Sequence, residues 1–145
     1  MRIQWTPSLS VGIEDIDRLQ RDFFAAADRV TRATTAADVV YEAALRSLLE
    51  IACAQFSAEE RWLREAGEPT LARHELEHRR FLADVATYAN QVAEGKRGNV
   101  DALHLSSFVA DWVTAHVAGA DRDLARAARA ATPEERRARM KLVSG

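Results

Sequence analysis

Three of the four histidines in this chain are spaced in a way that suits a metal ion. His74 and His78 are four residues apart, which places both imidazoles on one face of a helix, about one turn from each other. His116 lies far downstream, and Asp121 follows it by five residues. Imidazole and carboxylate groups are common ligands of zinc and iron. The pattern predicts a metal site, although a histidine pair in such a charged stretch is also typical of a solvated helix face.

Polar residues also interrupt the apolar stripe of the preceding helix. Gln55 and Glu59 repeat the four-residue spacing directly after an apolar series. A helix bundle builds cofactor sites from side chains that converge on its axis. Each residue alone has a simpler explanation, with His116 as a satisfied core histidine, Glu59 paired in solvent with Glu60, and Asp121 as a surface charge. Their joint occurrence on three predicted helices favours the metal site.

The elements that position these residues are predicted to be helices. Proline and glycine are confined to a few places, and the stretches between them are rich in helix-forming residues whose apolar members recur every three or four positions. Gly67 is a predicted helix stop, and Thr132 to Glu135 has the spacing of a capping box. After an irregular arm to about Gly12, the predicted helices cover residues 13–33, 36–66, 69–94, 100–130 and 133–142.

Four long helices with short connections predict an all-α fold, an up-down-up-down four-helix bundle with an N-terminal arm and a short C-terminal helix. A length of 145 residues, with 48% hydrophobic and 29% charged content, predicts a single domain over residues 1–145. The lone Cys53 cannot form an internal disulfide and is predicted to be a buried structural thiol.

Charge and hydropathy exclude several classes of partner. A formal net charge of −2 gives no broad attraction to nucleic acid or to a membrane surface. No apolar run approaches the length of a membrane span, and the N-terminus lacks the apolar stretch of a signal peptide. We therefore expect a cytoplasmic protein with no membrane or nucleic-acid partner.

The order and spacing of these residues resemble those of bacterial hemerythrins over essentially the whole chain through about Asp123. The matching pieces are Trp5 with Ser10-Val11-Gly12-Ile13, Ile16-Asp17, Gln55-Phe56-x-x-Glu59-Glu60, His74-x-x-x-His78, and Trp112-x-x-x-His116 with Asp121. Members of that family are four-helix bundles that hold two non-haem irons and bind dioxygen reversibly. The resemblance therefore implies this fold and a metal pocket, with iron as the first candidate.

The resemblance also implies that only one of the two metal positions is complete. The iron richest in histidine takes three of them in the family, and all are present here as His74, His78 and His116. The two bridging carboxylates are present as Glu59 and Asp121. The two histidines of the other iron, which is the one that binds dioxygen, are replaced by Gln20 and Gln55.

This replacement changes the expected chemistry of the second position. A glutamine offers a neutral amide oxygen in place of a strongly donating imidazole nitrogen, which is a poor exchange for iron. Its NH2 group can instead donate to carboxylate oxygens that a lost ion would leave buried and unpaired. We therefore predict a repaired pocket that holds one divalent ion, with zinc or manganese as alternatives to iron.

Three functions remain open at this level. The first is a hemerythrin-like protein with a single-metal site and impaired dioxygen carriage, which stores, senses or binds metal or a small ligand. The second keeps two irons, with Gln20 and Gln55 as weak oxygen ligands, and binds dioxygen or nitric oxide. The third is a metal-free interaction bundle whose basic tail, residues 122–145, contacts a partner. No additional group is placed for acid–base or nucleophilic work, so no catalytic role is assigned.

Overall fold

The chain folds into a helical bundle. The computed structural model describes the backbone of residues 3–144 and, outside residues 99–100 and 140–144, their side chains. No strand occurs in this part of the chain. After a short 3₁₀ turn at Pro7–Leu9, the helices are α1 (Glu14–Arg32), α2 (Asp38–Glu65), α3 (Leu71–Ala93), α4 (Asn99–Ala118), α5 (Arg122–Ala130) and α6 (Pro133–Ser144).

The predicted fold class is confirmed, including the N-terminal arm and the short C-terminal helix. In the bundle, α2 packs between α1 and α3, and α1 also packs against α4. Apart from the fourth helix, the predicted bounds agree with the observed ones to within two residues. None of the helices within residues 3–144 combines the length and the apolar composition that a membrane span needs. The cytoplasmic location and the single domain over residues 1–145 stay predictions.

Local sequence explains where the helices end. Gly67 and Gly95 have φ angles of +65° and +72°, which glycine adopts without the clash that a Cβ atom would cause. After Gly67 the Glu68 N–H donates to the Leu63 carbonyl at 3.0 Å, and after Gly95 the Lys96 N–H donates to the Gln91 carbonyl at 2.9 Å. These bonds satisfy helix carbonyls that would otherwise have no partner.

The predicted capping box at the start of α6 is also present. Glu135 N–H donates to Thr132 Oγ1, and Thr132 N–H donates to Glu135 Oε2, both at 3.1 Å. This reciprocal pair satisfies two of the free N–H groups at the start of the helix. The short C-terminal helix therefore begins where its sequence predicts.

The prediction of one continuous helix over residues 100–130 is wrong. The helix breaks at Gly119–Asp121, where Asp121 N–H donates to the His116 carbonyl at 3.1 Å, five residues back. A Cβ atom at position 119 would lie 3.0 Å from the Ala115 carbonyl oxygen, so the turn is crowded enough to favour glycine. The break rotates Asp121 inward, and the residue is 1% exposed.

The prediction for Cys53 is also wrong, because its thiol is exposed. Ala52 and Gln55 of the same helix are fully buried, so α2 turns this face toward the core. Cys53 follows Ala52 by 100° and lies about 200° from Gln55 around the helix, which places it on the outer face. Cys53 is therefore not part of the buried core.

Two apolar clusters flank the polar residues of interest. The larger cluster includes Phe23, Phe56 and Phe81, and the smaller one includes Ile16 and Trp62. The Arg139 guanidinium lies 4.9 Å from the centre of the Trp62 ring, which attaches α6 to the smaller cluster. The bundle thus holds its buried polar side chains between two well-packed regions.

Candidate metal centre

Four buried side chains from three helices converge in the core. Glu59 comes from α2, His74 and His78 come from α3, and His116 comes from α4. One ligand atom from each lies within 4.8 Å of those of the others. These residues, here called the His–Glu cluster, are at most 4% exposed. The sequence-predicted histidines and Glu59 are therefore brought together.

The ligand atoms of the cluster face one another. His78 Nε2 lies 3.2 Å from His116 Nε2 and 3.2 Å from Glu59 Oε2. Glu59 Oε2 is also 3.6 Å from His116 Nε2. Two imidazole nitrogens and a carboxylate oxygen thus point at a common centre, which is the arrangement that a cation requires.

Asp121 completes the group from the turn between α4 and α5. Its Oδ1 lies 3.2 Å from His116 Nε2. A straight helix would place residue 121 about 140° from residue 116, facing away from the cluster. The break at Gly119 removes that offset, and the predicted carboxylate reaches the centre.

The two glutamines bond to the two carboxylates, as the sequence predicts. Gln20 Nε2 donates to Asp121 Oδ2 at 2.8 Å, and Gln55 Nε2 donates to Glu59 Oε1 at 2.7 Å. Both glutamine side chains are fully buried. One oxygen of each carboxylate therefore accepts a hydrogen bond from an amide, and the other oxygen faces the histidines.

Buried ligand atoms without a hydrogen-bond partner show whether the centre suits a metal ion. Among the described residues, Glu59 Oε2, Asp121 Oδ1 and His74 Nδ1 are buried and have no well-formed hydrogen bond, although histidine nitrogens lie within 3.2 Å of both oxygens. Buried polar atoms are normally paired, and unpaired anionic oxygens are the most costly. A single cation would satisfy them, and a set of three imidazoles with one or two carboxylates fits iron, zinc or manganese.

The carboxylates and imidazoles of the centre shift each other's pKa values. Burial lowers the pKa of His116, but the carboxylates of Asp121 and Glu59 outweigh it and raise that pKa to about 10. Burial would raise the pKa of Glu59, but the imidazoles of His116 and His78 hold that pKa well below its usual range. Burial and the nearby Glu59 charge raise the pKa of Asp121. Without a metal ion, the two carboxylates therefore favour a proton on His116.

Each imidazole of the cluster also meets a carboxylate outside it. His74 Nε2 lies 3.1 Å from Asp123 Oδ2, and His78 Nδ1 lies 3.0 Å from Glu60 Oε2. His116 Nδ1 lies 3.4 Å from Glu77 Oε2. Such outer carboxylates fix the ring orientation and increase the donor strength of a histidine ligand.

The sequence did not identify these outer carboxylates. Glu60 and Glu77 lie in charged stretches where nothing distinguishes them from solvated neighbours, and Asp123 lies just beyond the unpredicted helix break. Asp123 is held in place by Arg73 at 3.1 Å and by Arg126 at 3.0 Å. Only the side-chain contacts of α3 with α2, α4 and α5 assign each one to a histidine.

Aromatic rings enclose the cluster on two sides. Phe56 stacks on the His78 ring with centroids 4.0 Å apart, and Trp112 stacks on the His116 ring at 4.4 Å. A cavity of about 530 Å³ adjoins His116 and is lined in part by Arg73 and Glu77. The aromatic rings therefore shield the centre from solvent on two sides, and a polar cavity borders it at His116.

A comparison with family models matches residues 11–128 to the hemerythrin HHE cation binding domain. The matched span contains the whole His–Glu cluster, Asp121 and both glutamines. A search of curated proteins found no match. Because the match covers most of the chain and agrees with the fold and the buried cluster, the chain belongs to the hemerythrin HHE cation-binding family.

Proposed function

We propose that this protein binds a single divalent metal ion and does not carry dioxygen in the manner of its family. The ion would be held by His74, His78 and His116, with Glu59 and Asp121 completing its coordination. Iron is the first candidate, and zinc or manganese are alternatives. Its role would be the storage, sensing or binding of metal or of a small ligand at a remaining coordination position.

The observation that carries this proposal is the pair of amide–carboxylate hydrogen bonds. By the resemblance to bacterial hemerythrins, Gln20 and Gln55 replace the histidines of the second iron. Their NH2 groups donate to the two carboxylates. A second cation would have to break both bonds and replace two N–H donors that already neutralise part of the carboxylate charge. The first position keeps its full set of imidazole donors.

A bound ion would supply Lewis acidity and, if it is iron, one-electron redox chemistry. The outer carboxylates would orient the ligand imidazoles, because they hydrogen-bond the outward nitrogens of His74 and His78 and lie 3.4 Å from His116 Nδ1. The two aromatic rings exclude water from the stacked faces. These features favour a stable binding site over a catalytic one.

A two-iron site that binds dioxygen or nitric oxide is the second candidate. It is favoured by one observation, since Gln55 Oε1 is buried and without a hydrogen-bond partner in the described part of the chain. That oxygen is available as a weak ligand for a second ion. The two candidates differ in metal stoichiometry and in their response to exogenous ligands.

Elemental analysis of protein purified without added metal tests the proposal. We expect about one ion per chain in the wild type and none in H116A. The matched control is H104A, because His104 is exposed and lies outside the cluster, so it should retain the ion. Two irons with azide-induced visible bands would favour the second candidate. No bound metal in the wild type, together with unchanged thermal stability in chelator, would favour the metal-free interaction bundle.

A further inference from the structure

Two successive hydrogen bonds join Trp5 of the N-terminal arm to the metal centre. The Trp5 indole Nε1 donates to Gln20 Oε1 at 3.1 Å, and Gln20 Nε2 donates to Asp121 Oδ2 at 2.8 Å. Gln20 is fully buried, so both ends of its amide are satisfied inside the protein. The arm, α1 and the turn before α5 are thereby connected in one line.

The order of donors and acceptors along this line fixes the orientation of the amide. An indole nitrogen can only donate, and an ionised carboxylate can only accept. If the Gln20 amide were turned by 180°, its NH2 would face the Trp5 N–H and its oxygen would face Asp121. Both contacts would then be repulsive, so Trp5 and Asp121 together select the observed orientation.

We propose that Trp5 is a positioning residue that limits the centre to one metal ion. By binding the Gln20 oxygen, Trp5 keeps the NH2 group on Asp121 and withholds from a second cation the one ligand atom that Gln20 could offer. This inference rests on the proposed single-metal function and names a residue outside the cluster that enforces it.

The position of Trp5 is secured by contacts that do not involve Gln20. The Arg21 guanidinium lies 5.1 Å from the centre of the Trp5 ring. The arm is also pinned by Ile3 N–H, which donates to Asp28 Oδ1 at 3.1 Å, and by Val11 N–H, which donates to Asp17 Oδ1 at 2.9 Å. The indole N–H can therefore be removed without releasing the arm.

The two glutamines differ in this respect. The oxygen of Gln20 is held by Trp5, whereas Gln55 Oε1 has no hydrogen-bond partner among the described residues. Gln55 therefore has an unbonded oxygen that could face a cation, whereas the oxygen of Gln20 is already bound. The Trp5 contact is the difference that should decide whether a second ion binds.

The test is a cobalt(II) titration of metal-depleted protein, followed by visible absorption and calorimetry. W5F keeps an aromatic ring for Arg21 and removes the N–H. We expect the first ion to bind with wild-type affinity and the second to bind about threefold to tenfold more tightly, as one hydrogen bond is lost from the competing state. The matched control is S10A, which removes a different arm contact, the bond from Ser10 to Asp17, and should behave as wild type.

A double-mutant cycle separates positioning from a general loosening of the arm. In a Q20A background the W5F substitution should have no effect on the second ion, because the amide that Trp5 orients is gone. The inference is overturned if W5F matches the wild type, if S10A has the same effect as W5F, or if the effect of W5F persists in Q20A. Should W5F fail to fold, benzothienylalanine at position 5 keeps the bicyclic shape and lacks the N–H donor.

NMR of the metal-depleted protein gives a readout that does not depend on metal binding. The side-chain NH2 resonances of Gln20, assigned by their loss in Q20A, should shift in W5F and stay unchanged in S10A. If the wild type binds no first ion, the proposed function fails, while these resonances still decide whether Trp5 orients Gln20. Resonances that do not move in W5F would overturn the inference whatever the metal content.

Discussion

Metal binding should compete with a proton on His116, so the affinity for the ion should depend on pH. The carboxylates of Asp121 and Glu59 raise the pKa of His116 to about 10 in the metal-free protein. A ligand imidazole must be neutral, so each ion that binds below that pH displaces this proton. The logarithm of the association constant should therefore rise by about one for each pH unit between 7 and 9, and more steeply below pH 7, where Asp121 also binds a proton.

The size of the effect follows from the same pKa. At pH 7, about three pH units below the pKa, on the order of one molecule in a thousand has a neutral His116. This costs about 4 kcal/mol of metal affinity relative to a deprotonated site, at about 1.4 kcal/mol per pH unit. The raised pKa of Asp121 acts in the same direction, because its carboxylate must also lose any proton before it can bind the ion.

Calorimetric titrations with zinc at several pH values, each in two buffers of different ionisation enthalpy, measure both the slope and the protons released. D121N removes a carboxylate that raises the His116 pKa, so its affinity should depend less on pH than that of the wild type. H104A is the control, because its exposed imidazole should leave the slope unchanged. An affinity that is independent of pH between 6 and 9 would refute the assignment of the proton to His116.

Three further results are expected. Q20H combined with Q55H should restore a second iron, because it replaces both amides with imidazoles; if the double variant still holds one ion, the alignment of these glutamines with the lost ligands is wrong. Chelator should lower the melting temperature of the wild type and leave that of H116A unchanged, since an ion bound only to the folded state stabilises it; equal shifts in both proteins would place the metal elsewhere. G119A should lower the free energy of unfolding by about 1 kcal/mol and weaken metal binding, because the added Cβ lies 3.0 Å from the Ala115 carbonyl oxygen and strains the turn that carries Asp121; a denaturation curve and a zinc titration check this, and wild-type values in both would show that the turn tolerates the side chain.

The sequence was sufficient for most of the helices and for the residues of the His–Glu cluster. Residues four apart on a helix share a face whatever surrounds them, so His74 and His78 could be paired from spacing alone. The bonds from Gln20 and Gln55 to the carboxylates also followed from chemistry. By the resemblance, each residue replaces a histidine with an amide whose NH2 can donate to a carboxylate. Glycine at position 67 marked a helix end through a backbone preference that is equally local.

Tertiary structure decided what depends on the rotation and height of one helix relative to another. Spacing predicted one helix over residues 100–130, but only the packed bundle shows that it breaks at Gly119 and turns Asp121 inward. The pairing of each histidine with an outer carboxylate and the contact from Trp5 to Gln20 depend on segments that are distant in sequence. Helical periodicity is set by the backbone of one segment, whereas these contacts are set by which surfaces of several segments fit together, and this physical difference separates what the sequence determined from what the fold added.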